Sequence, residues 1–266
     1  MKTNSRSRSW LSLGLCLSLA ASALQPLGDS CPAPADPAEN RCEHFLVEWD
    51  SDTAHPGIGY SGDLNLGEAL QKAELGLVEL RRRAVNGGWQ LEQDVIFPFE
   101  DVRLMVVESA GRRNPGLIWR EISKGAGRTV FAEWGQQGDQ LSVREWSSKG
   151  STRRTLDLNG TLYLPLALQE AVRSSGLQAG PIEVFDPLRG QLATWHLELE
   201  DVAGEANNGN LRQAEFYRTD GSLAGRYLFD GTRLVSFRWQ LGGLRMRRIA
   251  AEEYAQRRVL WGLDSE

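Results

Sequence analysis

The chain has 266 residues, 41% of them hydrophobic, and a formal net charge of -5. An acidic balance excludes nucleic acid and an anionic membrane surface as electrostatic partners of the whole molecule. No apolar run approaches ~18 residues, so an integral membrane protein spanning with helices is not expected.

Lys2, Arg6 and Arg8 precede a short, mostly apolar run from Trp10 to Leu19. Ala21-Ser22-Ala23 then places small residues where a signal peptidase reads. This pattern predicts a secretory signal peptide over residues 1–23, and therefore a periplasmic or secreted protein. Cys16 falls inside the signal, which leaves Cys31 and Cys42. An even pair in an oxidising compartment is expected to form a disulfide, which stabilises by ~3 kcal/mol in the chain-entropy model. Lipid attachment is the rival reading, but Leu15 stands where a lipoprotein signal has a small residue. Residues 24–42 then read as a Pro-rich arm tied by the disulfide, and residues 43–266 as a single β-rich domain.

Within that domain Leu66, Leu70, Ala73, Leu77 and Leu80 recur at helical spacing, with Asn86-Gly87 as a stop. The same stretch reads equally as a strand that turns at Asn86-Gly87. Trp89 to Phe97 alternates, and Arg103 to Glu108 follows as its neighbour. Leu117 to Ile122, Thr129 to Trp134, Gln140 to Trp146 and Thr152 to Leu158 form a first meander. Pro165 opens a predicted helix to Ser174. Ile182 to Phe185 and Leu192 to Glu200 lead to a second meander of Leu211–Thr219, Ser222–Phe229 and Thr232–Leu241. Its strands are separated by Asp220-Gly221 and Asp230-Gly231 and followed by Gly242-Gly243. Asp-Gly supplies the positive φ that tight hairpins need. Ala250 to Leu260 closes the chain as a helix, acids first and arginines last, which suits the helix dipole. The expected fold is mainly β: one curved antiparallel sheet or half-barrel of about ten strands, packed on two or three helices.

Catalytic signatures are missing. There is no G-x-S-x-G elbow, no phosphate loop and no dinucleotide fingerprint, so no cofactor is expected. His44, His55 and His196 form no metal-spaced pair, and Asp50, Asp52 and His55 read as a polar turn, so no metal is expected either. Glu121, Glu133 and Glu145 stand twelve apart on successive strands, beside Trp119, Trp134 and Trp146. Paired carboxylates beside indoles suit a glycosidase. Arg120, Arg128 and Arg144 favour cross-strand ion pairs instead, with the tryptophans on the opposite, buried face. The nine Trp outnumber the eight Phe and five Tyr. Aromatic walls make small-molecule pockets, so Trp119, Trp134, Trp146, Trp195, Phe237 and Trp239 are the candidate ligand-binding residues.

The layout over residues 43–250 resembles the periplasmic half-barrels of the lipoprotein-carrier type. So does Leu177 to Glu200, with Gly180-Pro181 and Phe185-Asp186-Pro187 ahead of a strand, which also resembles related uncharacterised periplasmic domains. The resemblance implies a sheet curled around an apolar cavity and binding of a lipid or acyl chain. No functional residue transfers through it. The leading expectation is a non-enzymatic envelope protein that shelters an apolar small molecule. The alternatives are a carbohydrate-active hydrolase using the sheet carboxylates and a partner-binding envelope domain that adds a strand at a sheet edge.

Overall fold

The structure, a computed structural model, describes residues 40–49, 74–85, 88–111, 116–123, 126–134, 140–158, 161–174, 177–203, 210–238 and 244–264. Residues 1–39, Leu66 to Ala73, Asp50, Asp52, His55 and Gly242-Gly243 lie outside that set. The signal, the arm as far as residue 39, and the turn and metal expectations on those residues therefore rest on sequence alone, while Arg41 and Cys42, expected in the arm, belong to a strand.

All described strands join one sheet. They are β1 (Arg41–Trp49), β2 (Glu74–Val85), β3 (Gly88–Phe97), β4 (Val102–Gly111), β5 (Gly116–Ser123), β6 (Ala126–Trp134), β7 (Gln140–Ser147) and β8 (Gly150–Asp157). After them come β9 (Leu162–Tyr163), β10 (Gly180–Asp186), β11 (Gln191–Ala203), β12 (Asn210–Arg218), β13 (Leu223–Asp230), β14 (Arg233–Arg238) and β15 (Leu244–Ile249). Two helices, α1 (Pro165–Arg173) and α2 (Ala251–Leu260), complete the order. The sheet runs β8 to β1 in reverse chain order, then β15 down to β9. It therefore consists of two meanders joined where β1 pairs with β15, Phe45 opposite Arg248. Every pairing is antiparallel except the two-residue contact of β9 with β10.

The fifteen strands exceed the ten expected from sequence. The difference arises at the centre of the sheet. In β1, Phe45, Leu46 and Val47 are all fully buried, and in β2 Leu77 and Val78 are too. One face packs into the main core and the other lies beneath α2, so the period-2 signal vanishes. The Leu66–Leu80 spacing thus marks a strand in its second half, where Leu77 and Leu80 take opposite faces. Strand β15 escaped notice because its outward positions are arginines, Arg245 and Arg247, paired with Glu48. The turns were legible: Gly221 and Gly231 hold φ of +80° and +56°. Of the expected alternation of Val235, Phe237, Trp239 and Leu241, only Val235 and Phe237 are described, and Val235 is only partly buried. A register shift between Leu228 and Phe229 pairs Phe229 with Leu234, so Leu234 and Phe237 are the buried residues.

The sheet folds over on itself. Arg128 on β6 donates to the Leu188 carbonyl at 2.6 Å, and Arg154 on β8 to that of Arg189 at 3.3 Å. The turn after β10 therefore rests against the far arm of the sheet. Helix α1 lies inside, with Leu166, Leu168, Gln169, Val172 and Arg173 buried. It packs on β3 from one arm and β10 from the other. Its start lacks a side-chain cap of its own. Glu108 of β4 supplies one, accepting from the Leu166 and Ala167 backbone N–H groups at 2.7 Å each. Helix α2 packs on the outer face, where Tyr254 joins Leu46, Leu77 and Ile249, with Trp261 and Leu263 beside them. Among the described residues no helix is long and apolar enough to cross a membrane.

Candidate functional site

The six aromatic candidates are dispersed. Trp119, Trp195 and Phe237 face the interior and are buried. They are packed among neighbours: Arg128 stacks over the Trp119 ring, Trp195 meets Phe216 at 6.0 Å and Phe237 meets Phe45 edge-on at 5.2 Å. Trp146 points the other way. It stands on the outer face, 43% exposed, edge-on to Phe131 at 4.9 Å. Trp239 and the side chain of Trp134 lie outside the described residues. The expectation that these residues gather around a ligand is therefore corrected for Trp146. It lies three positions from buried Val143 and five from buried Leu141, odd offsets that put it on the other face of the strand.

The interior itself is occupied. Phe45, Phe185, Phe216, Phe229 and the leucines of α1 close on one another in a single cluster. One hollow opens beside α1, bounded by Arg41, Leu80, Leu91, Gln169 and Glu170 among others. Its volume is about 20 Å³, room for about one water molecule. A second, of about 360 Å³, lies over β11 and β12 and is lined by His196, Glu198, Glu200, Gln213 and Glu215. It is a surface recess in which the three glutamates stand beside Ala179, Leu197 and Leu199.

The glutamate trio is not brought together. Glu121 and Glu145 are inward residues with Arg128 between them, and Glu133 is on the outer face. Arg128 donates from Nε to Glu145 at 2.7 Å, which holds the Glu145 carboxyl below the usual range. A carboxyl kept ionised by an arginine cannot serve as the general acid of a glycosidase. The ion-pair expectation holds for Glu145, but the tryptophan expectation is reversed: Trp146 is the exposed partner.

Sequence reading missed the most elaborate polar cluster. Glu43, only 2% exposed, accepts from Arg173 at 2.6 Å, Arg248 at 2.6 Å and Arg41 at 3.2 Å. Burial alone would raise its pKa; Arg173 foremost, with Arg41 and Arg248, outweighs that and holds it below the usual carboxylate range. Glu170 of α1 extends the network to Arg41 and Arg82. These residues are separated by up to two hundred positions in the chain, so no local signal could have exposed them. The cluster ties β1, β15 and α1 together.

A second cluster lies beneath α2. Cys42 Sγ, His44 Nε2 and Glu79 Oε1 fall within 4.8 Å of one another. Burial lowers the His44 pKa, so its ring is neutral. In principle the three could hold a metal ion. Glu79, however, already accepts from Arg81 Nε and lies 3.4 Å from the Tyr254 hydroxyl. Cys42 would have to be a thiolate, which its expected pairing with Cys31 forbids. Cys31 lies outside the described residues.

The outer corner of β5 to β8 is built differently. Trp146 and Phe131 form an apolar patch there, and Ile122, 38% exposed, stands farther along the same face opposite Gly127. Arg144 and Arg153 lie directly opposite each other on the same face. Beyond them β8 ends the sheet.

No family model matches this chain, and no curated protein matches it. Among solved structures it is similar to a β-barrel-like protein of domain of unknown function DUF1849 from Brucella abortus. That likeness has 12% sequence identity and a TM-score of 0.37, and covers 78% of this chain and 93% of the other.

Proposed function

We propose that this chain is a non-enzymatic, exported binding protein that engages its partner on the surface of the sheet. One observation carries this reading: among the described residues a buried apolar cluster and α1 occupy the interior, while β8 at the end of the sheet pairs with no described strand on its far side and lies beside the exposed Trp146. The expected carrier of an acyl chain needs an apolar void of several hundred Å³. The interior hollow beside α1 is more than tenfold too small by that measure. Export follows from the signal pattern at residues 1–23, and the Cys31–Cys42 disulfide belongs to the same reading.

Chemical cross-linking in envelope extract, followed by affinity capture of the tagged full-length chain, tests it. A partner protein recovered at a fixed stoichiometry supports the proposal. Native mass spectrometry that instead shows retained lipid, with saturable uptake of a fluorescent fatty acid, would restore the carrier and end the surface reading. For the disulfide, alkylation of the secreted chain without reductant should leave both cysteines unlabelled; a labelled thiol would remove the pairing.

A further inference from the structure

We infer that the open edge of β8 accepts an extended peptide bearing carboxylates, which adds as a further antiparallel strand. This deepens the surface-binding reading above and rests on it.

Strand β8 pairs with β7 on one side, and no described strand pairs with the other. All of its residues from Gly150 to Asp157 are exposed except Leu156. A strand that buries so little contributes little to the core, and the alternate residues among its eight that turn their N–H and C=O groups away from β7 meet no described strand. The opposite edge of the sheet is blunted, because β9 has only two residues. Of the two described end strands, β8 is the longer, with eight residues against two in β9.

Side-chain chemistry selects the partner. Arg153 sits directly across from Arg144 on the outer face. Like charges directly opposite destabilise a strand pair. Among the described residues neither arginine forms an ion pair with a carboxylate. An incoming strand with Glu or Asp opposite Arg153 would place a carboxylate against both guanidiniums and remove that repulsion. Two residues along the same face, Ser151 stands opposite Trp146. An apolar residue of the incoming strand would reach the indole there, over the short side chain of Ser151. The favoured ligand thus alternates acidic with apolar residues on one face. The same arginines reject other occupants. Two copies of this chain paired about Arg153 or Arg154 would set each arginine against its own counterpart, so a second copy is a poor fit.

Hydrogen–deuterium exchange on the full-length chain tests this, with the acetylated octapeptide Glu-Thr-Val-Thr-Glu-Thr-Val-Thr as probe, which carries Glu and Val alternately on one face, and the same peptide with Lys in place of Glu as control. Slowed exchange across residues 150–157 with the Glu peptide, absent with the Lys peptide, is the expected result. Arg153→Glu, an exposed change that leaves the core intact, should weaken the peptide roughly tenfold or more, and Arg153→Lys much less. Unchanged exchange at 150–157 under saturating peptide would overturn the inference, as would equal binding by Arg153→Glu. So would protection of β8 by anionic phospholipid vesicles in place of the peptide. A cross-linked partner that protects other residues would overturn this placement while leaving the surface-binding role standing.

Discussion

At the scale of single residues, two buried carboxyls do opposite things. Glu108 is fully buried, and the desolvation outweighs its two backbone hydrogen bonds, so its pKa is pushed up to about 8. Its folded pKa lies above the ordinary value of 4.5, so folding favours its protonated form. The stability this group contributes is fully present below pH 4.5 and is lost as pH rises toward 8. The melting temperature should therefore fall between pH 5.5 and 8.5, and Glu108→Gln, which stays neutral, should flatten that fall. A decline of equal size in both proteins would assign the pH dependence to other groups. Glu43 has the reverse sign. Its folded pKa is lowered, so its contribution is present at neutral pH and lost as the solution becomes acidic. Glu43→Ala should cost ~3–5 kcal/mol in urea unfolding at pH 7, because Arg173 and Arg248 would be left buried or half-buried around a missing charge. A loss below about 1 kcal/mol would show those arginines to be adequately hydrated.

At the scale of elements, close strand packing at glycine is decisive in two places. A Cβ on Gly76 would lie 2.4 Å from the Ile96 carbonyl oxygen, and one on Gly116 2.6 Å from that of Ala132. Neither obstacle is a flexible side chain. Gly76→Ala should destabilise by ~1–3 kcal/mol, since the β2–β3 backbone must shift. Gly127→Ala, whose Cβ would lie 3.8 Å from the Glu121 carbonyl oxygen, serves as the control and should change the urea midpoint far less. Equal effects in both would mean that backbone entropy, and not the contact with Ile96, governs these glycines. The outer meander strands were readable because one face is wet and the other dry. The turn at Asp220-Gly221 was readable because its geometry is local. Strands β1 and β2 were not, since both of their faces are covered, and a continuous apolar run carries no period.

At the scale of the whole molecule, α1 joins the two arms of the sheet. Leu168 is 1% exposed at the middle of that helix. Leu168→Ala should cost ~2–5 kcal/mol through the cavity it leaves. Because α1 packs on both β3 and β10, hydrogen exchange should quicken in both arms together. Faster exchange in one arm alone would mean that the arms fold and open independently. The same helix lies in the interior where an acyl chain was expected. Composition showed an excess of indoles, but could not say that Trp119 and Trp195 would be packed tightly while Trp146 faced solvent.

What the sequence determined by itself is short-range. The Asp-Gly turns, the alternation of the meander strands, the two helices with Pro165 at one start and ordered charges in the other, and the missing catalytic motifs all depend on residues a few positions apart. Tertiary structure decided everything that depends on distant residues meeting. It decided the two-sided burial of β1 and β2, the Glu108 cap on α1, the three arginines around Glu43 and the filling of the interior. It also decided which strand would be left at the open end. Burial and charge pairing are properties of neighbours in space, and a linear pattern records only neighbours in the chain.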